Sequence, residues 1–119
     1  MAIEFSVKDR PVGDKAHVVA VRGEVDLFTA PEFKQRVMAP IAAGVDHLVV
    51  DLTETTFIDS SSLGVLIGAH RRLKSRGGRL VVACDDEPIL KTLRITGLDS
   101  VFVLTDTVEA ALGEHAEAA

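Results

Sequence analysis

Four short runs of β-branched and other aliphatic residues recur along the chain, and stretches with helical spacing of apolar residues separate them. The runs are HVVAVR at 17–22, HLVVDL at 47–52, RLVVAC at 79–84 and SVFVL at 100–104. Strands that alternate with helices in this way build a mainly parallel sheet with right-handed crossovers. A further run with alternating polarity, IEFSVK at 3–8, reaches the first of these through a short connection. It predicts a hairpin that adds an antiparallel edge strand.

Four helices are predicted between and after these strands. The first begins at Thr29, which is predicted to cap it, with Glu32 closing a capping box. Its predicted apolar stripe is Phe33, Val37 and Ile41, with Met38 beside them. The others are predicted over 61–76, over 87–95 and from residue 106. The expected fold is therefore α/β: a single domain over residues 1–119, with a mostly parallel sheet of four to five strands, an antiparallel edge hairpin and about four helices. The tail from about residue 114 is expected to fray.

Charge and composition exclude several classes of protein. The chain has 13 Lys and Arg against 18 Asp and Glu, a net charge of −5, whereas a general nucleic-acid binder carries a basic face. No apolar run approaches the ~20 residues that a membrane span needs, and charged residues interrupt any signal pattern at the start. Cys84 is the one cysteine and cannot form an internal disulfide. These observations predict a cytoplasmic protein that binds neither nucleic acid nor membrane.

The residue types that bind metals or cofactors lack the necessary spacing. The four histidines show no metal-ligand pattern, so we predict neither a metal site nor a cofactor. His70 is expected at the edge of the core, and Cys84 is expected to be a small buried apolar residue.

The most informative stretch is Phe57-Ile-Asp-Ser-Ser-Ser-Leu-Gly64, which lies between a predicted strand and a predicted helix. Ligands and partners meet α/β sheets at the carboxyl ends of strands, and a helix N-terminus accommodates phosphate. A serine here is therefore a candidate phosphorylation site. The simpler interpretation is that Asp59 or Ser60 caps the helix and the other serines have no special role. Neither a nucleophile elbow nor a phosphate-binding loop is present, which argues against an enzyme.

Three segments resemble the anti-sigma-factor antagonist family, the STAS domain. The longest is VDLTETTFIDSSSLGVLIGAHRRLKSRGGRLVVAC, which is similar to the family's strand, Phe-x-Asp-Ser-Ser/Thr-Gly-Leu-Gly motif and helix. Gly23-Glu-Val-Asp26 before Thr29-Ala-Pro resembles the family's segment ahead of its first helix, and Leu93-Arg-Ile-Thr-Gly-Leu98 resembles its late helix-turn. The resemblance covers nearly the whole chain and implies the STAS fold.

The resemblance also implies a phosphorylation site and a surface that faces a partner. The family's serine after the aspartate is phosphorylated by an anti-sigma factor that has serine-kinase activity, and here that serine is Ser60. Ser61 and Ser62 are alternative acceptors. The implied partner-binding residues are Asp26, Asp59, Ser60, Ser61, Ser62 and Leu63. Ser62 replaces the family's usual glycine: it would be strained at a positive φ, whereas in a first helical turn the serine costs little.

The function that the resemblance implies is that of an anti-sigma-factor antagonist rather than an enzyme. The unphosphorylated form would bind the anti-sigma factor and free a sigma factor, serine phosphorylation would end that binding, and a PPM-type phosphatase would restore it. Two alternatives stay open: a STAS module of a stress-signalling or sensory-kinase assembly without a sigma factor, and an α/β protein that binds a small ligand or nucleotide. Neighbouring genes for a sigma factor and a GHKL-type kinase would favour the anti-sigma-factor antagonist over both alternatives.

Overall fold

A five-stranded sheet forms the centre of the fold, and its strands follow one another across the sheet in chain order. The computed structural model describes residues 3–118, with side chains for residues 3–113. The strands are β1 (Ser6–Val12), β2 (Ala16–Val25), β3 (His47–Ile58), β4 (Arg79–Ala83) and β5 (Val103–Thr105). β1 pairs with β2 antiparallel, whereas β2 to β5 are parallel. The predicted parallel sheet with an antiparallel edge hairpin is confirmed.

The predicted helices connect and follow the parallel strands. They are α1 (Ala30–Ala42), α2 (Ser60–Lys74), α3 (Glu87–Ile95) and α4 (Val108–Ala118), with a short 3-10 turn at Leu98–Ser100. Helices α1, α2 and α3 pack on one face of the sheet around the larger core, and α4 packs on the other face. The prediction that the tail frays from about residue 114 concerns side chains outside the described residues.

The core is aliphatic, as a chain with so few aromatic residues requires. The predicted apolar stripe of α1, made of Phe33, Val37 and Ile41, is fully buried against the sheet. On the opposite face, α4 is anchored by a polar contact as well as by packing. The buried ring of His47 donates from Nε2 to the carbonyl oxygen of Ala111 at 3.2 Å. This contact fixes α4 across β3.

β2 and β3 extend past their predicted runs to Val25 and Ile58, and the bounds of β1 and β5 differ from the prediction for reasons of backbone chemistry. β1 extends beyond the predicted run 3–8 and passes through Pro11, which lies opposite His17. An edge strand tolerates proline because its missing N–H can be on the unpaired side. The last strand begins at Val103 rather than at residue 100, because the 3-10 turn occupies Leu98–Ser100.

The predicted capping box of α1 is wrong. Thr29 is the N-cap residue, but its side chain makes no capping hydrogen bond to the helix. Its hydroxyl instead accepts from the backbone N–H of Asp26 at 2.9 Å and donates to the carbonyl oxygen of Glu24 at 3.1 Å. The hydroxyl therefore stabilises the loop before the helix, which leaves Glu32 without its predicted capping partner.

Candidate functional site

The carboxyl ends of β2 and β3 meet at one edge of the sheet. Val25 and Ile58, the last residues of these strands, are partners in the parallel register. The loop at 26–29 and the junction at Asp59 therefore leave the sheet side by side. The sequence motif with the three serines lies at this edge, where α/β folds bind ligands and partners.

Asp59 is the N-cap of α2. Its Oδ1 accepts from the backbone N–H groups of Ser61 at 3.0 Å and Ser62 at 3.2 Å. In return, the Oγ of Ser62 accepts from the backbone N–H of Asp59 at 2.9 Å, which completes a reciprocal capping box. Of the two capping residues that the sequence allowed, the structure selects Asp59. The cap sets the direction in which α2 leaves the sheet.

Ser62 connects this cap to the neighbouring strand. Its side chain is buried, with 1% exposed, and its Oγ lies 2.8 Å from the carbonyl oxygen of Asp59 and 3.3 Å from that of Val25. No non-glycine residue in the described part of the chain has a positive φ, and Ser62 lies in the first turn of α2. The replacement of the family's usual glycine therefore causes no backbone strain.

Ser60 is the most accessible of the three serines. It is the first residue of α2 and is exposed, whereas Ser61 is half-buried. Within residues 3–113, the Ser60 hydroxyl makes no hydrogen bond. Within the same residues the Ser61 hydroxyl also makes no hydrogen bond, so what distinguishes Ser60 as the candidate acceptor is its greater exposure.

Asp26 shapes the loop opposite Ser60. Its Oδ1 accepts from the backbone N–H groups of Phe28 at 2.9 Å and Thr29 at 3.1 Å. This turn directs Leu27 and Phe28 outward, where they are 69% and 88% exposed. Asp26 therefore acts in this structure by holding the loop, with its carboxylate still partly accessible.

Exposed apolar side chains surround the junction, and the sequence interpretation missed them. Besides Leu27 and Phe28, Phe57 is 46% exposed at the end of β3. Large apolar residues in water around a polar loop are typical of a protein-binding surface. The sequence feature that could have revealed this surface is the pair Leu27-Phe28. It lies between a strand and the start of a helix, where the chain has to turn at the surface. Leu63, in contrast, is 8% exposed and packs in the core, so its predicted contact with a partner stays a prediction.

His70 and Cys84 lie away from the junction and pack beside or within the core. The ring of His70 packs edge-on against Phe102 with centroids 5.8 Å apart, and burial together with Lys74 and Arg71 lowers the pKa of His70. Burial raises the pKa of the Cys84 thiol, and the residue is 1% exposed. Both side chains occupy the positions that the sequence predicted.

Neither a cluster of metal ligands nor a membrane-spanning helix occurs in the described part of the chain. Among its residues, no group of His, Cys, Asp and Glu side chains could hold a metal ion. None of the helices in the described part combines the length and apolar character that crossing a bilayer requires.

Comparisons with known proteins agree on one family. The STAS domain model matches residues 8–111. The chain is 31% identical over 118 residues to the anti-sigma-B factor antagonist of Listeria monocytogenes, covering 98% of this chain and 100% of that protein. It is 28% identical to the anti-sigma-B factor antagonist of Bacillus subtilis, covering 79% of this chain and 85% of that protein. The crystal structure of an anti-sigma factor antagonist from Mycobacterium paratuberculosis superposes with a TM-score of 0.80 at 32% identity, covering 95% of this chain and 93% of that one.

Proposed function

This chain belongs to the STAS domain family, and we propose that it acts as an anti-sigma factor antagonist. In this role it binds an anti-sigma factor and so releases a sigma factor. The names of the relatives in Listeria, Bacillus and Mycobacterium support the proposal. The observation that carries it is the exposed, unbonded hydroxyl of Ser60 beside the exposed side chains of Leu27 and Phe28.

The unphosphorylated protein binds its partner through this edge of the sheet. Leu27, Phe28 and Phe57 supply apolar area that gains free energy when a partner covers it. Asp26 holds the loop that presents two of them, and Asp59 holds the start of α2. The contact needs no rearrangement of the domain, because both loops are fixed by internal hydrogen bonds.

Phosphorylation of Ser60 ends this contact. A phosphate adds about −1.5 to −2 charge and must be desolvated when a partner covers it. The neighbouring side chains Leu27 and Phe28 cannot pair with that charge. Complex formation therefore becomes unfavourable while the domain stays folded. In this proposal the anti-sigma factor is also the serine kinase, and a PPM-type phosphatase removes the group.

The proposed protein is a binding partner and a kinase substrate rather than an enzyme. The acceptor oxygen lies beside Asp59, whose carboxylate accepts two backbone N–H groups as a helix cap. That arrangement stabilises the helix, and within residues 3–113 no base is hydrogen-bonded to the hydroxyl of Ser60. A serine nucleophile requires such a base.

Two substitutions at one position test the switch. Ser60→Ala removes the acceptor, so phosphorylation by the cognate anti-sigma factor should be lost while affinity stays within about twofold of wild type. Ser60→Asp places a fixed charge at the contact and should weaken binding, though less than a phosphate does. Affinities are measured by calorimetry and the phosphosite by mass spectrometry. Because the two variants should differ in affinity, general destabilisation cannot explain both results.

Ser61→Ala is the matched control, since it removes a neighbouring half-buried hydroxyl. It should be phosphorylated as wild type is, because Ser60 is still present. Phosphate on Ser61 or Ser62 with Ser60 unmodified would show that the acceptor is wrong. Release of a sigma factor from its complex with the anti-sigma factor should follow addition of wild type. A pull-down that recovers a sensory kinase and no sigma-factor regulator would favour the alternative STAS assembly.

A further inference from the structure

A groove of about 840 Å³ runs between α1 and α2 and begins at the candidate site. Leu27 and Ser61 lie at its mouth, next to the proposed acceptor. Its walls are largely apolar and include Ala30, Met38 and Val65. The groove therefore extends the exposed apolar surface of the site along the length of two helices.

Two glycines of α2 keep this groove open. Gly64 and Gly68 are one helical turn apart and both line it. A Cβ on Gly64 would meet nothing within 4 Å, and a Cβ on Gly68 would meet only the flexible end of Met38 at 3.4 Å. Internal packing therefore does not require glycine here, although each glycine inside a helix costs roughly 1 kcal/mol relative to alanine. What the glycines provide is open space on the outer surface of α2.

Exposed basic side chains border the same groove. Lys34 on α1 and Arg71 and Arg72 on α2 line it and are exposed. None of the three forms a salt bridge with the residues that the structure describes. Other arginines do so, as Arg36 does with Asp9 and Arg22 with Glu54. In a chain with a net charge of −5, three cations that have no ion pair among the described residues form a local positive field around this apolar groove.

We propose that this groove binds an acidic amphipathic helix of the anti-sigma factor. The helix places its apolar face between α1 and α2 and its carboxylates against Lys34, Arg71 and Arg72. From Ser61 to Arg72 the groove follows α2 for roughly 16 Å, which matches a helix of about three turns. This inference rests on the proposed function and adds a second contact that the phosphorylation site does not provide.

Charge reversal tests the cationic border against the purified anti-sigma factor. The Arg71→Glu/Arg72→Glu double variant should weaken binding by about tenfold or more at low salt, and its affinity should depend less on salt than that of wild type. Lys91→Glu is the matched control: Lys91 is exposed on α3, lies outside the groove and has no salt bridge within the described residues. Its affinity should stay within about twofold of wild type.

A second variant tests the open space without removing charge. Gly68→Leu fills the groove and improves helix propensity, so it should weaken binding by about fivefold or more without lowering the unfolding midpoint. A photocrosslinking residue in place of Met38 should attach to an acidic helical segment of the anti-sigma factor. Attachment to a basic segment would contradict the proposed occupant.

The outcomes separate this inference from the proposed function. Wild-type affinity in both groove variants, together with weak binding by Ser60→Asp, would overturn the groove proposal and leave the proposed function in place. Absence of any binding between the wild-type chain and the anti-sigma factor would overturn both. A homodimer in analytical ultracentrifugation that Gly68→Leu disrupts, with unchanged affinity for the anti-sigma factor, would identify a second copy as the occupant and reject the acidic helix.

Discussion

The Ser62 hydroxyl joins two segments that are far apart in sequence. It accepts from the N–H of Asp59 at 2.9 Å and lies 3.3 Å from the carbonyl oxygen of Val25. Because the side chain is buried, its removal leaves the Asp59 N–H without an acceptor. Ser62→Ala should therefore lower the free energy of unfolding by about 1–2 kcal/mol, measured by urea denaturation. Ser62→Gly should cost up to about 1 kcal/mol more, since glycine also disfavours the helix.

Ser61→Ala provides the comparison for this measurement, because its half-buried side chain does not bridge the two segments. It should change stability by less than about 0.5 kcal/mol. Equal effects of the two alanine substitutions would show that the Ser62 bridge does not stabilise the junction.

The hydrogen-bonding chemistry of single side chains also explains which predictions of helix caps were confirmed and which were wrong. The order Asp-Ser-Ser-Ser before an amphipathic stretch predicted a helix cap, and Asp59 is that cap. The sequence predicted Thr29 as the cap of α1, but the Asp26 side chain can also bond to backbone groups of the loop before that helix. The structure shows Asp26 accepting two N–H groups, which draws Thr29 into the loop as well.

At the scale of elements, Asp9 connects the edge strand to its neighbours. Its Oδ2 accepts from Arg36 of α1 at 3.0 Å, and its Oδ1 lies 3.4 Å from His17 Nε2 of β2. Burial raises the pKa of Asp9, but the hydrogen bonds and charges of Arg36 and His17 outweigh that effect and lower it. A carboxyl whose folded-state pKa is lowered stabilises the fold above its unfolded pKa of about 3.9. That contribution is lost as the pH falls through the folded-state value.

Asp9→Asn should therefore lower stability at pH 7 by less than about 1 kcal/mol and should flatten the loss of stability below about pH 4. The measurement is urea unfolding at pH 7 and at pH 3. Asp14→Asn, an exposed substitution in the β1–β2 turn, is the control. A pH dependence of Asp9→Asn that matches wild type would mean that the contacts of Asp9 do not couple its ionisation to folding.

Elements with strong periodicity were predictable, and surfaces formed between elements were not. The spacing of Phe33, Val37 and Ile41 predicted the buried face of α1 because a helix returns to the same side every 3.6 residues. The groove between α1 and α2 has no such signal, since Lys34 and Arg71 come together only when the two helices pack. The sequence predicts the last strand from residue 100, three residues before β5 begins, because the run SVFVL does not show that Ser100 belongs to a 3-10 turn.

At the scale of the whole molecule, phosphorylation should leave the stability of the fold nearly unchanged. The positive end of the α2 dipole favours a phosphate on Ser60, whereas the half-buried Asp59 carboxylate opposes it. These effects have opposite signs, so the free energy of unfolding should change by less than about 1 kcal/mol. Urea unfolding of the phosphorylated and unmodified proteins measures this difference. A loss of several kcal/mol would indicate that the switch acts by unfolding the domain.

The exposed Ser60 hydroxyl has no hydrogen bond to lose within the described part of the chain. Under the proposed function, adding a phosphate therefore breaks no internal hydrogen bond of this hydroxyl and requires no second conformation of the domain. Each molecule then has two states that differ at one surface oxygen, and only an outside protein distinguishes them. The signal is accordingly the number of molecules in each state, and its persistence depends on the enzymes that add and remove the group rather than on the folding kinetics of the domain.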